Sequence, residues 1–347
     1  MRHVNIPIFI PHLGCPNQCI FCNQRFISGT QEFDEGQVDL IINEVLKTVN
    51  EGDECEIAFF GGSFTGIDRD LMIRLLDKAQ SYVNKGQAVG IRMSTRPDYI
   101  NDEIISILKK YTVSCVELGI QSMNDEVLAY LKRGHTANDT RRAAKLLTEA
   151  KIPFGGQMMV GLPSGAQSDE LYCASEICKL GAVGTRIYPT LVFKNTELEA
   201  LTKNNEYIPL SIDEAVKRSA SVYRIFLENN VACYRIGLCE SDNLHVESSF
   251  YKGPNSPSIG EMVRSRVFFD YICEKIENAG LQNADDVVIY CPNGKTSQVV
   301  GNKRVNITEL KNMFGYKSVK VLELSSLGGY EILVKEKEGS SGAIKIT

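Results

Sequence analysis

Stretches typical of β-strands alternate with amphipathic helical stretches from Val4 to about Leu238, and this alternation limits the possible folds more than any other feature. Strands are predicted at Val4–Ile10, Glu56–Phe60, Gly90–Ser94, Ser114–Gly119, Phe154–Val160, Thr185–Tyr188 and Ala232–Gly237. Apolar residues recur at helical spacing between them, as at Val38, Ile42 and Val45. Repeated strand–helix units predict an α/β fold with a parallel sheet and right-handed crossovers. In barrels of this type, the chemistry gathers at the carboxyl ends of the strands.

Three cysteines follow the first predicted strand. Cys15, Cys19 and Cys22 have the spacing C-x3-C-x2-C. Soft thiolate ligands suit iron, and three of them on one tight loop can hold three corners of an iron–sulfur cube. Such cubes usually have four cysteine ligands, and no fourth cysteine lies nearby in the sequence. One iron would then be open to bind another molecule, so the loop predicts chemistry and not mere electron storage.

The cysteine loop has two other interpretations, a structural zinc site and a disulfide framework. A structural zinc site normally has four ligands, and His12 is the one candidate for the fourth. A disulfide framework is not favoured, because the 11 cysteines are an odd number and the N-terminus lacks the pattern of a secretion signal. The cluster is therefore the preferred interpretation, with zinc or plain buried thiols as the alternative.

The composition is that of an ordinary globular protein, with 43% hydrophobic and 23% charged residues in 347. No run approaches the roughly 18 apolar residues that a membrane helix needs, so we expect a cytoplasmic protein without a membrane partner. The net charge is −5, whereas residues 284–347 carry a net charge of +2. A basic tail on an acidic body is compatible with a local phosphate-binding surface.

The loop from Cys15 to Cys22 resembles the signature of the radical S-adenosylmethionine (radical SAM) enzymes. In that family the three cysteines ligate a 4Fe–4S cluster whose open iron binds S-adenosylmethionine. The resemblance implies a partial (β/α)6 TIM-like barrel and reductive cleavage of S-adenosylmethionine to a 5′-deoxyadenosyl radical. It also implies catalytic roles for Cys15, Cys19 and Cys22, and a flavodoxin or ferredoxin as the electron donor.

The same resemblance implies cofactor contacts at the strand ends. The implied cofactor-binding residues are Phe21, Gly61, Gly62, Ser63, Ser94, Arg96, Glu117, Gln121 and Met159. Phe21 and Met159 would flank the adenine, with core filling as the alternative for Met159, and Glu117 or Gln121 would reach the ribose. Ser63 stands where many members have Glu. The structural alternative for Glu117 is a buried ion pair with arginine.

Within the family, the chain most resembles the radical SAM domain of the Elongator catalytic subunit, over roughly residues 4–240. The supporting segments are Glu117–Ser122, Lys132–Thr136 and Tyr188–Leu198. That subunit modifies wobble uridines of transfer RNA with the help of an acetyltransferase domain, for which too few residues remain here. The resemblance therefore implies a radical modification of RNA, with tRNA as the expected substrate and partner, but no acetyl transfer. Lys194 is the fourth implied catalytic residue and would face the substrate, with a solvated surface lysine as the alternative. His135 is interpreted as a packing or capping residue.

The tail resembles a KH domain, in which a GxxG loop clamps a single-stranded nucleic-acid backbone. A strand, a helix–loop–helix and a second strand are predicted at Asp286–Tyr290, 298–310 and Ser318–Glu323. The loop is Gly301-Asn-Lys-Arg304, so arginine replaces the second glycine while Lys303 and Arg304 supply charge for phosphates. Gly301, Lys303 and Arg304 are the implied RNA-binding residues. The alternative is a small packing domain with a solvated charged loop.

These features predict a radical SAM core at 1–240, a helical connector packing on the core at 241–283 and a KH-like RNA-binding domain at 284–347. An enzyme resembling oxygen-independent coproporphyrinogen oxidases, or a haem-handling protein, is the alternative function, because those enzymes share the cysteine spacing. A third hypothesis is a non-catalytic RNA-binding protein with a structural or redox-sensing cluster.

Overall fold

The computed structural model describes residues 3–10, 15, 18–23, 33–238 and 249–337. Contacts divide the chain into two compact units, Met1–Pro257 and Ser258–Thr347. Each unit has a sheet of its own. Within the described ranges, no helix is both long enough and apolar enough to cross a bilayer.

A parallel sheet forms the centre of the first unit. Its strands, with two short ones beside it, are β1 (His3–Phe9), β2 (Glu54–Phe60), β3 (Gly90–Thr95), β4 (Val113–Gln121), β5 (Phe154–Val160), β6 (Gly184–Pro189), β7 (Val192–Phe193), β8 (Ala232–Ile236) and β9 (Phe250–Lys252). The sheet has seven strands in the order β1-β2-β3-β4-β5-β6-β8, and β7 pairs with β9 separately. All neighbours in the large sheet are parallel, and every predicted strand is confirmed with its ends moved by at most two residues.

Helices connect the parallel strands. They are α1 (Val38–Leu46), α2 (Arg69–Asn84), α3 (Asp102–Leu108), α4 (Asp125–Tyr130), α5 (Ala137–Glu149), α6 (Gln167–Lys179), α7 (Glu197–Lys203) and α8 (Ile212–Glu228). The apolar stripe of α2 is buried, as Met72, Leu75 and Leu76 show. Polar caps fix where several helices begin. The Asp68 carboxylate, for example, accepts a hydrogen bond from the amide of Leu71 at the start of α2.

The second unit combines a three-stranded sheet with helices. Its elements are α9 (Ile259–Asn278), β10 (Asp286–Cys291), α10 (Thr296–Val300), α11 (Val305–Phe314), β11 (Ser318–Glu323) and β12 (Leu333–Glu336). The central strand β10 is parallel to β11 and antiparallel to β12. The α/β class of the core and the α+β character of the tail are thus confirmed.

The contact boundary between the units lies after Pro257, whereas the sequence placed boundaries at 240 and 283. The reason is the packing of α9. Its apolar side chains share one core with the small sheet, including Phe268, Phe269, Ile272, Val287 and Ile289. Helix α9 is therefore a structural part of the second unit.

Candidate cluster and cofactor site

The loops after β1 and β2 meet at the carboxyl edge of the sheet. The Ile10 amide donates a hydrogen bond to the Phe60 carbonyl at 2.8 Å, which continues the pairing beyond β1. Gly61 follows with a φ of +101°, and a Cβ atom at this position would lie 3.3 Å from the Ile10 nitrogen. Glycine is needed here both for the left-handed backbone and for the close approach. The Gly61–Ser63 turn consequently lies against the backbone that leads into the cysteine loop.

Ser63 contacts one of the cysteines directly. Its hydroxyl oxygen lies 3.6 Å from the sulfur of Cys15, within the range of a hydrogen bond to sulfur. Ser63 is 2% exposed and Cys15 is partly buried, so the contact is partly shielded from solvent. The short serine side chain thus reaches a sulfur at the position where the family commonly has glutamate.

Arg133 contacts the second cysteine. Its Nη1 donates to the Cys19 sulfur at 3.3 Å, and its Nη2 donates to the Gly119 carbonyl at 2.7 Å. The Cys22 amide in turn donates to the Cys19 carbonyl at 3.0 Å, which closes a turn within the loop. Arg133 therefore joins the cysteine loop to the end of β4. Nothing in the sequence alone places Arg133 beside Cys19, so this contact could not be predicted.

Arg96, a predicted cofactor-binding residue, lies just after β3 and is buried. Its Nε and Nη2 donate to the two Asp98 oxygens at 3.0 and 2.9 Å. Burial opposes the charged form, but the hydrogen bonds to Asp98 and the charges of Asp98, Cys19 and Cys15 outweigh it and raise the pKa of Arg96. Two buried guanidinium groups, those of Arg96 and Arg133, thus neighbour the cysteines.

These surroundings fit a cluster ligand set. Three soft sulfur donors come from one loop, and the neighbouring cations would balance the negative charge of thiolates. Among the described residues, no three His, Cys, Asp or Glu side chains are gathered as ligands of a single metal ion. A cube differs from a single-ion site in that each cysteine binds a different iron. Cys15, Cys19 and Cys22 are the residues that would hold it.

Phe21 and Met159, predicted to flank the adenine, belong to one apolar cluster. The other members include Ile20, Val127, Leu131, Leu162, Tyr188, Val192, Leu198 and Tyr207. Met159 is 9% exposed and Phe21 is partly buried. The structure therefore places the two residues in one buried apolar cluster beside the cysteine loop.

Gln121 and Glu117 were the two candidates for a ribose contact, and their surroundings differ. Gln121 ends β4 with a φ of +66°, where the register with β5 shifts. Its buried Oε1 accepts no hydrogen bond from any described residue. An unsatisfied buried acceptor is costly, so it is available to a ligand hydroxyl.

Glu117 is instead held by protein groups. It is 1% exposed and accepts hydrogen bonds from Arg92 Nη1 at 3.1 Å, Arg186 Nη2 at 2.8 Å, Gln157 Nε2 at 2.8 Å and also Arg186 Nε. Burial alone would raise the pKa of Glu117, but Arg186, Gln157 and Arg92 together lower it. The alternative of a buried glutamate–arginine pair therefore describes this residue, and a ribose hydroxyl would have to displace a protein donor.

Ser94, the other residue predicted to line the pocket on β3, is linked to the same network. Its hydroxyl accepts a hydrogen bond from Gln157 Nε2 at 3.1 Å. Arg92 further donates to Glu56 at 2.7 Å, so the polar groups cross the sheet interior from β2 to β6. Sequence reasoning missed Arg92, Gln157 and Arg186. The sequence did contain a signal for each of them, namely a polar residue within an otherwise apolar strand.

Comparison with known proteins agrees with this geometry. The model of the radical SAM superfamily matches residues 9–169, and that of the radical SAM C-terminal domain matches residues 182–268. The chain belongs to the radical SAM enzyme superfamily. The first match includes all three cysteines, and the two matches together cover most of the chain.

Several curated relatives are similar over about half of the chain. A tRNA uridine(34) acetyltransferase of Methanocaldococcus jannaschii is 29% identical over 196 residues, which are 51% of this chain and 36% of the relative. Human Elongator complex protein 3 is 28% identical over 52% of this chain and 37% of its own length. An uncharacterized protein of M. jannaschii is 28% identical over 61% of this chain and 68% of its own length. The chain thus spans between about a third and about half of the length of the relatives named for tRNA uridine acetylation or Elongator.

A solved structure shows the same fold. The archaeal Methanocaldococcus infernus Elp3, with its N-terminus deleted, superposes with a TM-score of 0.61 at 22% identity, covering 80% of this chain and 63% of that one. Membership of the superfamily and the likeness to Elongator proteins, expected from the sequence, are confirmed.

Lys194, after β7, lies next to the end of the cysteine loop. Its carbonyl accepts a hydrogen bond from Asn23 Nδ2 at 2.6 Å, and its amide donates to the Ser249 carbonyl at 2.7 Å. The residue itself is exposed. Its backbone is therefore fixed beside the site, and its proposed contact with substrate stays a prediction.

His135 is buried, with 4% of its surface exposed to solvent. Its Nε2 lies 3.3 Å from the Ile120 carbonyl. Burial, followed by the charge of Arg133, lowers the pKa of His135 to about 4. The imidazole is therefore neutral at pH 7, which agrees with its interpretation as a packing residue.

We predict that Glu117→Gln lowers the free energy of unfolding by about 3–5 kcal/mol at pH 7, because two buried arginines lose their shared counter-charge. Urea denaturation followed by circular dichroism measures the change. Glu103→Gln is the matched control, since Glu103 pairs with Arg69 and its side chain is 61% exposed; it should cost less than about 1 kcal/mol. A Glu117→Gln variant as stable as this control would contradict the role assigned to the network.

We also predict that His135→Gln weakens the dependence of stability on pH. The folded-state pKa of about 4 lies below the ordinary 6.5, so the unfolded chain binds more protons between these values. The contribution of His135 to stability is therefore complete above pH 6.5 and is lost as the pH falls towards 4. Urea titrations should show wild type losing about 2–3 kcal/mol more than the variant between roughly pH 7 and pH 4.5. Parallel curves for the two proteins would refute this.

Proposed function

We propose that Cys15, Cys19 and Cys22 ligate a 4Fe–4S cluster and that the chain uses S-adenosylmethionine to modify RNA, most specifically tRNA. The observation that carries the proposal is the arrangement of the cysteine loop at the carboxyl edge of the sheet. There Ser63 contacts the Cys15 sulfur and Arg133 contacts the Cys19 sulfur. Buried donors directed at two of three thiols are expected around an anionic ligand set.

The residues around the loop have separate roles in this proposal. When bound, the cluster would supply the electron that cleaves S-adenosylmethionine to methionine and a 5′-deoxyadenosyl radical. Gly61 and Gly62 let backbone groups approach the methionine end. Gln121 offers its unsatisfied Oε1 to a ribose hydroxyl, and Phe21 with Met159 provides the apolar surface for adenine.

RNA is the proposed substrate because the relatives over the core include proteins named for tRNA uridine acetylation and for the Elongator complex. These names favour RNA over a porphyrin. The matched region is little more than a third of each of these relatives, so the proposal includes the radical step and leaves acetyl transfer out. Lys194, whose backbone is fixed beside the loop, is the proposed side chain for contact with the RNA substrate.

A second RNA contact is proposed at residues 301–304. The elements β10, α10, α11 and β11 follow one another as in a KH motif, and the Gly301–Arg304 loop joins the two helices. Gly301 has a φ of +79°, and a Cβ atom there would lie 2.8 Å from Val305 Cγ1. This crowding supports glycine at the first loop position.

The replaced second glycine is accommodated by left-handed backbone at Lys303 and Arg304, with φ values of 49° and 63°. Both residues are exposed at the start of α11, and the Arg304 side chain does not cap that helix. The amides of the first turn and the two cations together favour a phosphate. Below the loop, the buried Asn306 amide donates to the Ser265 and Val299 carbonyls at 3.1 and 3.0 Å and holds the turn in place.

The flavodoxin or ferredoxin electron donor, the cytoplasmic location and the assignment of 284–347 as a KH-like RNA-binding domain stay predictions.

We predict that Cys19→Ala abolishes formation of 5′-deoxyadenosine. The chain is purified and reconstituted with iron and sulfide without oxygen, and is then given dithionite and S-adenosylmethionine. Chromatography measures the nucleoside. Cys178→Ala is the matched control, because Cys178 is a partly buried thiol on α6. Wild-type protein that holds the cluster but makes no 5′-deoxyadenosine would contradict the proposed activity.

We predict that the double variant Lys303→Gln/Arg304→Gln binds single-stranded RNA roughly tenfold more weakly or worse at moderate salt, because two phosphate contacts are lost. Its plot of log affinity against log salt should be shallower by about 1.4, at ~0.7 per contact. Filter binding or fluorescence anisotropy gives both values. Lys275→Gln, which removes an exposed cation near the end of α9, should leave the RNA affinity and the salt slope unchanged. Equal affinity and slope for the double variant and wild type would exclude this loop as an RNA contact.

A further inference from the structure

Arg133 lies outside the predicted site, and its side chain donates to the sulfur of Cys19, a predicted cluster ligand. The residue is 8% exposed and Cys19 is 6% exposed, so the contact is removed from bulk water. The other amino group of the guanidinium is used on the Gly119 carbonyl at 2.7 Å. The planar fork thus points one N–H at a strand end and another at the sulfur.

We infer that Arg133 raises the reduction potential of the cluster that we propose at Cys15, Cys19 and Cys22. The inference rests on the proposed function. No bond to Arg133 is made or broken: an external one-electron reductant passes one electron to the cluster, and the guanidinium stabilises the more negative state.

The sign follows from charge. A four-iron cluster with three thiolate ligands is anionic, and reduction adds another negative charge. Hydrogen bonds to the sulfurs, net charge and burial are the factors by which a protein sets the potential of such a cluster. A cation in contact with a ligand sulfur favours the reduced form, and the effect is larger in a buried site because screening is weak. Loss of Arg133 should therefore make the cluster harder to reduce.

Arg96 provides an internal comparison. It also neighbours Cys19 and Cys15 electrostatically, but both of its donating nitrogens form the fork with Asp98. The Asp98 carboxylate offsets much of its charge, and no hydrogen bond from Arg96 to a sulfur is among its described contacts. Arg133, with its direct contact to sulfur, is therefore expected to have the larger influence on the potential.

The test is a redox titration of the full chain after anaerobic reconstitution, with the reduced cluster followed by electron paramagnetic resonance (EPR). Arg133→Gln should have a more negative midpoint potential than wild type, and Arg133→Lys should lie between them because it keeps the charge but loses the fork. Arg142→Gln is the control. Arg142 is an arginine of α5 that pairs with Asp139 and is 54% exposed, and its loss should not move the midpoint. A cluster-loaded Arg133→Gln variant with the wild-type midpoint potential would overturn the inference. The role of Arg133 would then be its structural hydrogen bond to the Gly119 carbonyl.

Arg133→Gln could fail to fold or to hold a cluster, so a second measurement uses the wild-type protein. With guanidino-15N arginine incorporated, pulsed EPR of the reduced cluster should detect a weak 15N coupling. The coupling should be lost in labelled Arg133→Lys protein. Absence of the coupling in loaded wild type would also overturn the inference. A wild-type chain that takes up no cluster would instead contradict the proposed function itself, so the two failures are distinguishable.

Discussion

The parallel pairing of β1 with β2 decides where the groups of the candidate site lie. Its last hydrogen bond, from the Ile10 amide to the Phe60 carbonyl at 2.8 Å, ends both strands at one level. Gly61 then passes the Ile10 backbone at a φ of +101°, so closely that a Cβ atom would lie 3.3 Å from the Ile10 nitrogen. These two features bring Ser63 to the Cys15 sulfur. Because β3 and β4 continue the parallel order, the segments that carry Arg96 and Gln121 reach the same edge.

Two groups of buried arginines have different surroundings in the sheet interior. Arg92 and Arg186 share the carboxylate of Glu117, and Arg92 also pairs with Glu56, so two cations meet two carboxylates beside glutamine and serine side chains. Arg133 and Arg96 lie nearer the cysteine loop, where the sulfurs contribute to their surroundings. Buried charges persist where partners satisfy them. The first group supports the sheet interior, whereas the second would balance the negative charge of the proposed cluster and its ligands.

Much of this architecture could be read from the sequence. Alternating strand and helix patterns gave the strands to within two residues, because each strand is a short apolar run bounded by polar segments. The cysteine spacing identified the candidate ligands, and Phe21 and Met159 do share one apolar surface. The boundary between the two units was harder to predict from the sequence. The apolar stripe of α9 shows that the helix is buried, but not which sheet buries it.

Side-chain partners across the sheet were the least predictable feature. A buried glutamate in β4 demanded a partner, and arginine was the reasonable choice. That two arginines and Gln157 would all donate to Glu117 depends on the registers of β3, β5 and β6, which no local pattern encodes. The contact between Arg133 and Cys19 joins positions 114 residues apart. It arises because the segment after α4 returns to the edge where the cysteine loop lies.

We propose that three cysteines leave one iron of a four-iron cluster open to S-adenosylmethionine. EPR spectra of the reconstituted, dithionite-reduced chain, recorded before and after addition of S-adenosylmethionine, examine that iron itself. A four-iron signal is expected, and its g values should change when the sulfonium compound binds the open iron. A spectrum that does not respond, or a chain that binds stoichiometric zinc in place of iron, would contradict it.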